Sequence, residues 1–138
     1  MSLKMSREER EAFLADLHVG VVSISRHGKA PLTAPIWYDY KPGGKVWMIA
    51  GSDSLKAAAL SETDDISLVA QNEAPPYKYV SVSGNCIKRD VAKGELLSMA
   101  VRYLGDEQGR AYAAAGDSGS FVIEFTPHSW MTVDYSKS

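Results

Sequence analysis

The alternation of apolar and polar residues divides the chain into about seven strand-like runs and a few helices. Residues 46–50, Val-Trp-Met-Ile-Ala, are an apolar run too short for a buried helix and β-favouring at its start, which predicts a core strand. Gly51 breaks that run, Ser52, Asp53 and Ser54 offer capping oxygens, and 55–60 is rich in helix formers, so the strand turns sharply into a short helix. Upstream, Ser6 and Glu9 have capping-box spacing, and Phe13, Leu14 and Leu17 give the following helix an apolar stripe. Residues 19–25 alternate about Val22 and Ile24. Residues 32–40 alternate again, with Leu32, Ala34, Ile36, Tyr38 and Tyr40 on one face and Thr33, Trp37 and Asp39 on the other. Pro35 cannot donate to a ladder, which predicts a sheet edge or a bulge there. Lys41, Pro42, Gly43 and Gly44 read as the hairpin turn into the strand at 46.

Downstream, 66–71 is a strand, and 77–88 is a long strand in which Gly84 signals a bulge or a close backbone approach. The clearest helix spans 95–104, with Leu96, Leu97, Ala100, Val101 and Leu104 on one side and Gly105 as its stop. A second short helix is predicted at 110–115, then strands at 120–126 and 130–135 separated by Pro127. Strands joined mostly by short turns, with helices inserted at three places, predict a mainly β protein whose antiparallel sheet closes into a small barrel.

At 138 residues this is expected to be one domain. Met1, Ser2 and Leu3, ahead of a second start-like Met5, resemble a cloning remnant and are set aside, leaving a domain of 4–138. The 15 Lys and Arg against 17 Asp and Glu give a net charge of −2, which argues against a nucleic-acid partner. A single cysteine, Cys86, excludes an internal disulfide framework and fits a reducing cytoplasm. No apolar run approaches a membrane span and no secretory leader is expected.

Candidate chemistry is sparse. Gly116-Asp117-Ser118-Gly119-Ser120 looks like a serine-protease nucleophile segment. The chain is too short for that fold, and the segment reads instead as a loop before a strand. His18, His27 and His128 are scattered and Cys86 stands alone, so no metal site is expected. Lys56 differs. It sits in the first turn of the short helix, where free N–H groups favour anions and a lysine opposes the helix dipole, so a bound phosphate would relieve the conflict. An anion grip, several aromatics and no acid–base pair suit a protein whose cofactor brings the reactivity. Trp37, Tyr79 and Trp130 are candidate walls for a planar ring, and Thr33, Ser52 and Ser81 candidate hydroxyl partners.

Four segments carry a resemblance: Pro35-Ile36-Trp37-Tyr38, Val46-Trp47-Met48-Ile49, Ser54-Leu55-Lys56-Ala57, and 77–84 from Tyr77 to Gly84. In this order, and with a late Trp130, they resemble the pyridoxamine 5′-phosphate oxidase-like, FMN-binding split-barrel proteins over 6–137. The subgroup they look most like is the flavin/deazaflavin oxidoreductases, which includes users of the deazaflavin coenzyme F-420. The resemblance implies a six-stranded split barrel, a homodimer, and FMN or F-420 bound at the dimer interface. By position it implies a phosphate-clamping Lys56 beside Ser54, a ring-lining strand through Thr33, Pro35, Ile36 and Trp37, and a backbone pair at Ile49 and Ala50. It also implies Lys78 and Tyr79 reaching across from the partner subunit, and Trp130 packed near the ring. Leu55 stands where many relatives place an arginine, which weakens the phosphate grip or moves it elsewhere. The 133–138 segment lacks the Arg-x-His substrate element of true pyridoxamine phosphate oxidases, so vitamin B6 oxidation is not expected. The expected activity is hydride transfer between the bound cofactor and a small conjugated substrate. The alternatives are a flavin or haem carrier on the same barrel, with His128 or His18 as axial ligand, and a dimer with a vacant site.

Overall fold

The computed structural model describes residues 2–138. Seven strands run in chain order: β1 Gly20–Arg26, β2 Lys29–Ile36, β3 Val46–Gly51, β4 Asp65–Gln71, β5 Lys78–Arg89, β6 Ser120–Phe125 and β7 Ser129–Asp134. Four α-helices accompany them: α1 Arg7–Ala15, α2 Leu55–Ala59, α3 Glu95–Leu104 and α4 Asp106–Ala113. Every strand pairing is antiparallel. Six strands follow the path β2-β1-β4-β5-β6-β3, and β7 pairs with β5. The 12-residue β5 is long enough to serve two partners at once: Lys78 to Ser83 pair with β7, whereas Cys86 to Arg89 pair with β6. The sheet thereby curls on itself. Among the described residues the two ends of the path, β2 and β3, do not pair; the isolated bridge Asp39–Trp47 joins β3 to the segment just after β2, and the barrel is split along that seam.

Period-two alternation explains the core. Val22, Ile24, Ile66, Leu68, Ala70, Val80, Val82, Met48 and Phe125 point inward and are buried. Gly84 sits on this inner face because nothing larger fits: a Cβ there would lie 2.6 Å from the Thr126 carbonyl oxygen. The sequence pattern expects a bulge or a close approach at Gly84, and the close approach is what occurs. Pro35 lies in β2, which pairs only with β1, so it occupies a sheet edge as expected. At the N-terminus, the Ser6–Glu9 capping box forms at both of its hydrogen bonds. The Leu3 carbonyl accepts from the Asp134 N–H, so the segment set aside on sequence grounds lies against β7.

Two elements depart from the periodicity. The strand predicted over 32–40 ends at Ile36, because the backbone of Tyr38 is claimed by side chains of α3. Tyr38 N–H donates to the Tyr103 hydroxyl at 3.0 Å, and the Tyr38 carbonyl accepts from Arg102 Nε at 3.0 Å. The helix predicted at 110–115 instead starts at Asp106, directly after Gly105. Asp106 and Glu107 occupy its first turn, where acidic residues favour a helix.

Candidate functional site

The flank formed by β3, β6, α3 and α4 holds a cavity. Arg89 on β5 grips Glu95 with both guanidinium nitrogens at 2.8 Å, tying the start of α3 to the sheet and holding the Glu95 carboxyl below the usual carboxylate range. Gly109 then lets α4 fold back closely, since a Cβ there would lie 2.6 Å from Val101 Cα of α3. Between this helix pair and the sheet lies a cavity of about 590 Å³, within the range of roughly 300–1,000 Å³ usual for small-molecule sites. Its walls are Trp37, Ile49, Ala50, Gly51 and Ser120 on the sheet side, Leu96, Met99 and Ala100 from α3, and Ala111, Tyr112, Ala115 and Gly116 from α4 and the loop after it.

Trp37 is fixed in this wall by aromatic packing. Its ring stacks on Tyr103, with centroids 5.0 Å apart and planes within 5°, while Tyr112 stands off at 5.4 Å and 52°. Tyr103 is itself anchored, its hydroxyl 2.6 Å from the His18 carbonyl oxygen and 2.9 Å from that of Tyr38. Burial pushes the Tyr103 phenol above its ordinary pKa, which keeps it neutral in this role. No Asp, Glu, Lys, Arg or His lines the cavity.

The residues singled out from sequence fall into five groups. Trp37, Ile49 and Ala50 meet on the cavity. Thr33, Pro35 and Tyr79 lie on the outer face of the sheet, in register with Ser23, Val21 and Val133. Ile36 points inward and is buried. Ser54 and Lys56 belong to α2, the turn that follows Gly51 at the cavity edge. There the Ser54 hydroxyl accepts from the Ala57 N–H at 3.2 Å, and its own N–H donates to the Gly51 carbonyl at 3.1 Å. With five residues, α2 has little dipole to offer, so any anion grip here rests on the Lys56 ammonium. Lys56 as a residue is half-buried, does not itself line the cavity, and makes no ion pair among the described residues.

Lys78 and Trp130 are placed elsewhere. Lys78 faces a pocket with Glu9, Asp16 and Asp134 under α1. Trp130 has the Arg10 guanidinium 4.4 Å above its ring and Tyr40 edge-on at 6.2 Å. Neither lines the cavity. Of the candidate haem ligands, His18 stacks on Phe13 at 4.4 Å and its Nε2 is 3.0 Å from the Phe13 carbonyl oxygen, while His128 lies on a groove with Ser83 and Asn85. Gly116 to Ser120 is a loop before β6, with Ser120 N–H donating to the Asp117 carbonyl. Sequence reasoning missed α3 and α4 as the other wall. Tyr103, Tyr112 and Met99 carry no motif, and only the amphipathic 95–104 pattern hinted that a helix would pack there.

No protein-family model and no curated protein sequence matches the chain. Solved structures do. A conserved hypothetical protein of Mycobacterium tuberculosis is 17% identical with a TM-score of 0.80, over 98% of this chain and 88% of that one. An F-420 reductase is 16% identical with a TM-score of 0.71, over 88% and 94%. A candidate pyridoxamine 5′-phosphate oxidase of Listeria innocua is 12% identical with a TM-score of 0.70, over 91% and 96%. At these identities the likeness shows the fold, an antiparallel split barrel with a few short helices. Among the described residues, no helix is long and apolar enough to cross a membrane.

Proposed function

We propose that this protein is a flavin-type oxidoreductase that moves a hydride between bound F-420 or FMN and a small conjugated substrate. The observation that carries the reading is the pairing of an uncharged aromatic cavity with an unpaired lysine on the turn that leaves its edge, on a barrel shared with an F-420 reductase. The residues suit such a cofactor. Trp37 and Ile49 offer a flat apolar wall, the backbone at Ala50 and Gly51 lies beside it, and Lys56 offers a cation to a phosphate. The ring, when bound, supplies the hydride chemistry. The chain binds and orients it, and the lack of any charged group in the cavity accords with a site that needs no side-chain acid or base.

The same reading makes the functional unit a homodimer with the cofactor between two copies. Tyr77, Met131 and Tyr135 are about half exposed, at 51%, 58% and 49%, and Tyr77 and Tyr135 are joined through their backbones. So much apolar surface around β5 and β7 favours a second copy over that face. A single-copy mass in sedimentation at micromolar concentration would overturn the dimer. The cofactor assignment is tested by titrating the purified protein with FMN and with F-420, following cofactor fluorescence. Saturable binding of one supports the reading, and binding of neither removes it.

A further inference from the structure

We infer that Arg102 and Tyr103, in the last turn of α3, are positioning residues: they clasp the backbone of Tyr38 and so fix Trp37 in the cavity wall where the proposed cofactor would lie. This deepens the reading above and rests on it for what Trp37 meets, but not for what holds Trp37.

The sheet ladder does not carry this stretch. β2 ends at Ile36, and the next β contact is the isolated bridge between Asp39 and Trp47. Between those points α3 supplies the fastening. The Tyr103 hydroxyl accepts from the Tyr38 N–H at 3.0 Å, and Arg102 Nε donates to the Tyr38 carbonyl at 3.0 Å. A phenol has a single proton to donate. With the Tyr38 carbonyl already served by Arg102, that proton goes to the His18 carbonyl, the shorter of its two contacts at 2.6 Å against 2.9 Å. Both backbone groups of Tyr38 are thus paired with side chains from one helix turn.

The clasp is itself braced. Arg102 Nη2 donates to the Ala15 and Asp16 carbonyls at 3.3 and 3.1 Å, and Nη1 lies 3.4 Å from Asp39 Oδ1. One planar fork therefore meets acceptors on two separate stretches of chain, which a compact lysine ammonium does not reproduce. Tyr103 meanwhile lays its ring on Trp37, with centroids 5.0 Å apart and planes within 5°. The same side chain sets the backbone beside Trp37 and the plane of its indole. The other end of α3 is held independently by the Arg89–Glu95 pair. Losing one hydroxyl or one fork therefore frees Trp37 without releasing the helix.

The test uses Tyr103→Phe, which keeps the stacked ring and removes the hydroxyl, and Arg102→Lys, which keeps the charge and removes the fork. On the full chain without cofactor, the readout is the near-ultraviolet circular-dichroism band that Trp37→Phe removes from the parent. That band reports the surroundings of this one indole. Both variants are expected to fold, to lose most of that band, and to bind whichever of FMN and F-420 the parent binds about tenfold more weakly. Ile24→Ala, a core change on β1, is expected to lower stability and keep both band and affinity. Should one of the two variants fail to fold, the other decides. A retained band, cofactor affinity equal to the parent's, or a band lost equally in Ile24→Ala would overturn the inference. If the parent binds neither cofactor, the proposed function falls and the band alone decides the clasp. If it binds one and the variants match it, the clasp falls and the proposed function stands.

Discussion

Trp37 and Trp130 begin from the same expectation, an aromatic wall beside a cofactor, and end in opposite surroundings. Around Trp130, most charged groups are paired within the chain, although the buried Arg10 Nε has no hydrogen-bond partner among the described residues. Arg10 lies over the ring, the Ser6–Glu9 capping box closes, Lys137 reaches Glu9 at 2.7 Å, and Asp134 accepts from Ser136. Around Trp37, the lining is uncharged, and the side chains of Trp37, Tyr112 and Ser120 make no hydrogen bond among the described residues. A flank whose charged groups mostly pair with one another is built to hold the barrel end. A flank that keeps neutral donors open above an apolar floor is built to receive something. The aromatic residue alone does not distinguish them; its neighbours do.

The strongest way to separate the two flanks is to damage each core. Leu14, on the inner face of α1, is fully buried, and Leu14→Ala is expected to cost about 2–5 kcal/mol in denaturant unfolding while leaving ligand affinity of the folded fraction unchanged. On the other flank, Gly109→Ala forces a methyl group against Val101 Cα. It should cost about 1–3 kcal/mol and, by levering α4 away from α3, also weaken binding of the proposed FMN or F-420. A loss of binding in the Leu14 variant, or none in the Gly109 variant, would break the comparison. Lys56→Ala should leave the melting temperature unchanged and weaken the phosphorylated cofactor by roughly 10- to 100-fold.

The smallest effect concerns pH and belongs to the Trp130 flank. The Lys137 ammonium, aided by the backbone N–H and hydroxyl of Ser6, draws the Glu9 carboxyl down to about 2. Its pKa is lower folded than unfolded, so its contribution is complete above the ordinary carboxylate range and is lost as pH falls from about 4.5 towards 2. Glu9→Gln should therefore flatten that part of an acid-unfolding curve and leave stability near neutrality only slightly lower. A curve as steep as the parent's would show that other carboxylates set the slope.

Much of the barrel was legible because one physical rule, alternation across a pleated sheet, governs Val22, Ile24, Leu68, Val80 and Val82 alike. The capping box at Ser6 and the tight approach at Gly84 are local signals too, readable from spacing and residue type. What escaped the sequence depended on groups distant along the chain. The end of β2 is set by Tyr103 and Arg102, more than sixty positions later. Trp130 left the candidate site because Arg10, on the first helix, covers it. The cavity itself is formed by Trp37 meeting Tyr112, a contact that no period or motif encodes.

The central claim is that this barrel holds a flavin-type cofactor, and fluorescence titration of the purified chain with F-420 and, separately, with FMN tests it most directly. Saturable binding of one of them, weakened in Lys56→Ala, is the predicted result. Binding of neither, or binding indifferent to Lys56, would contradict the account.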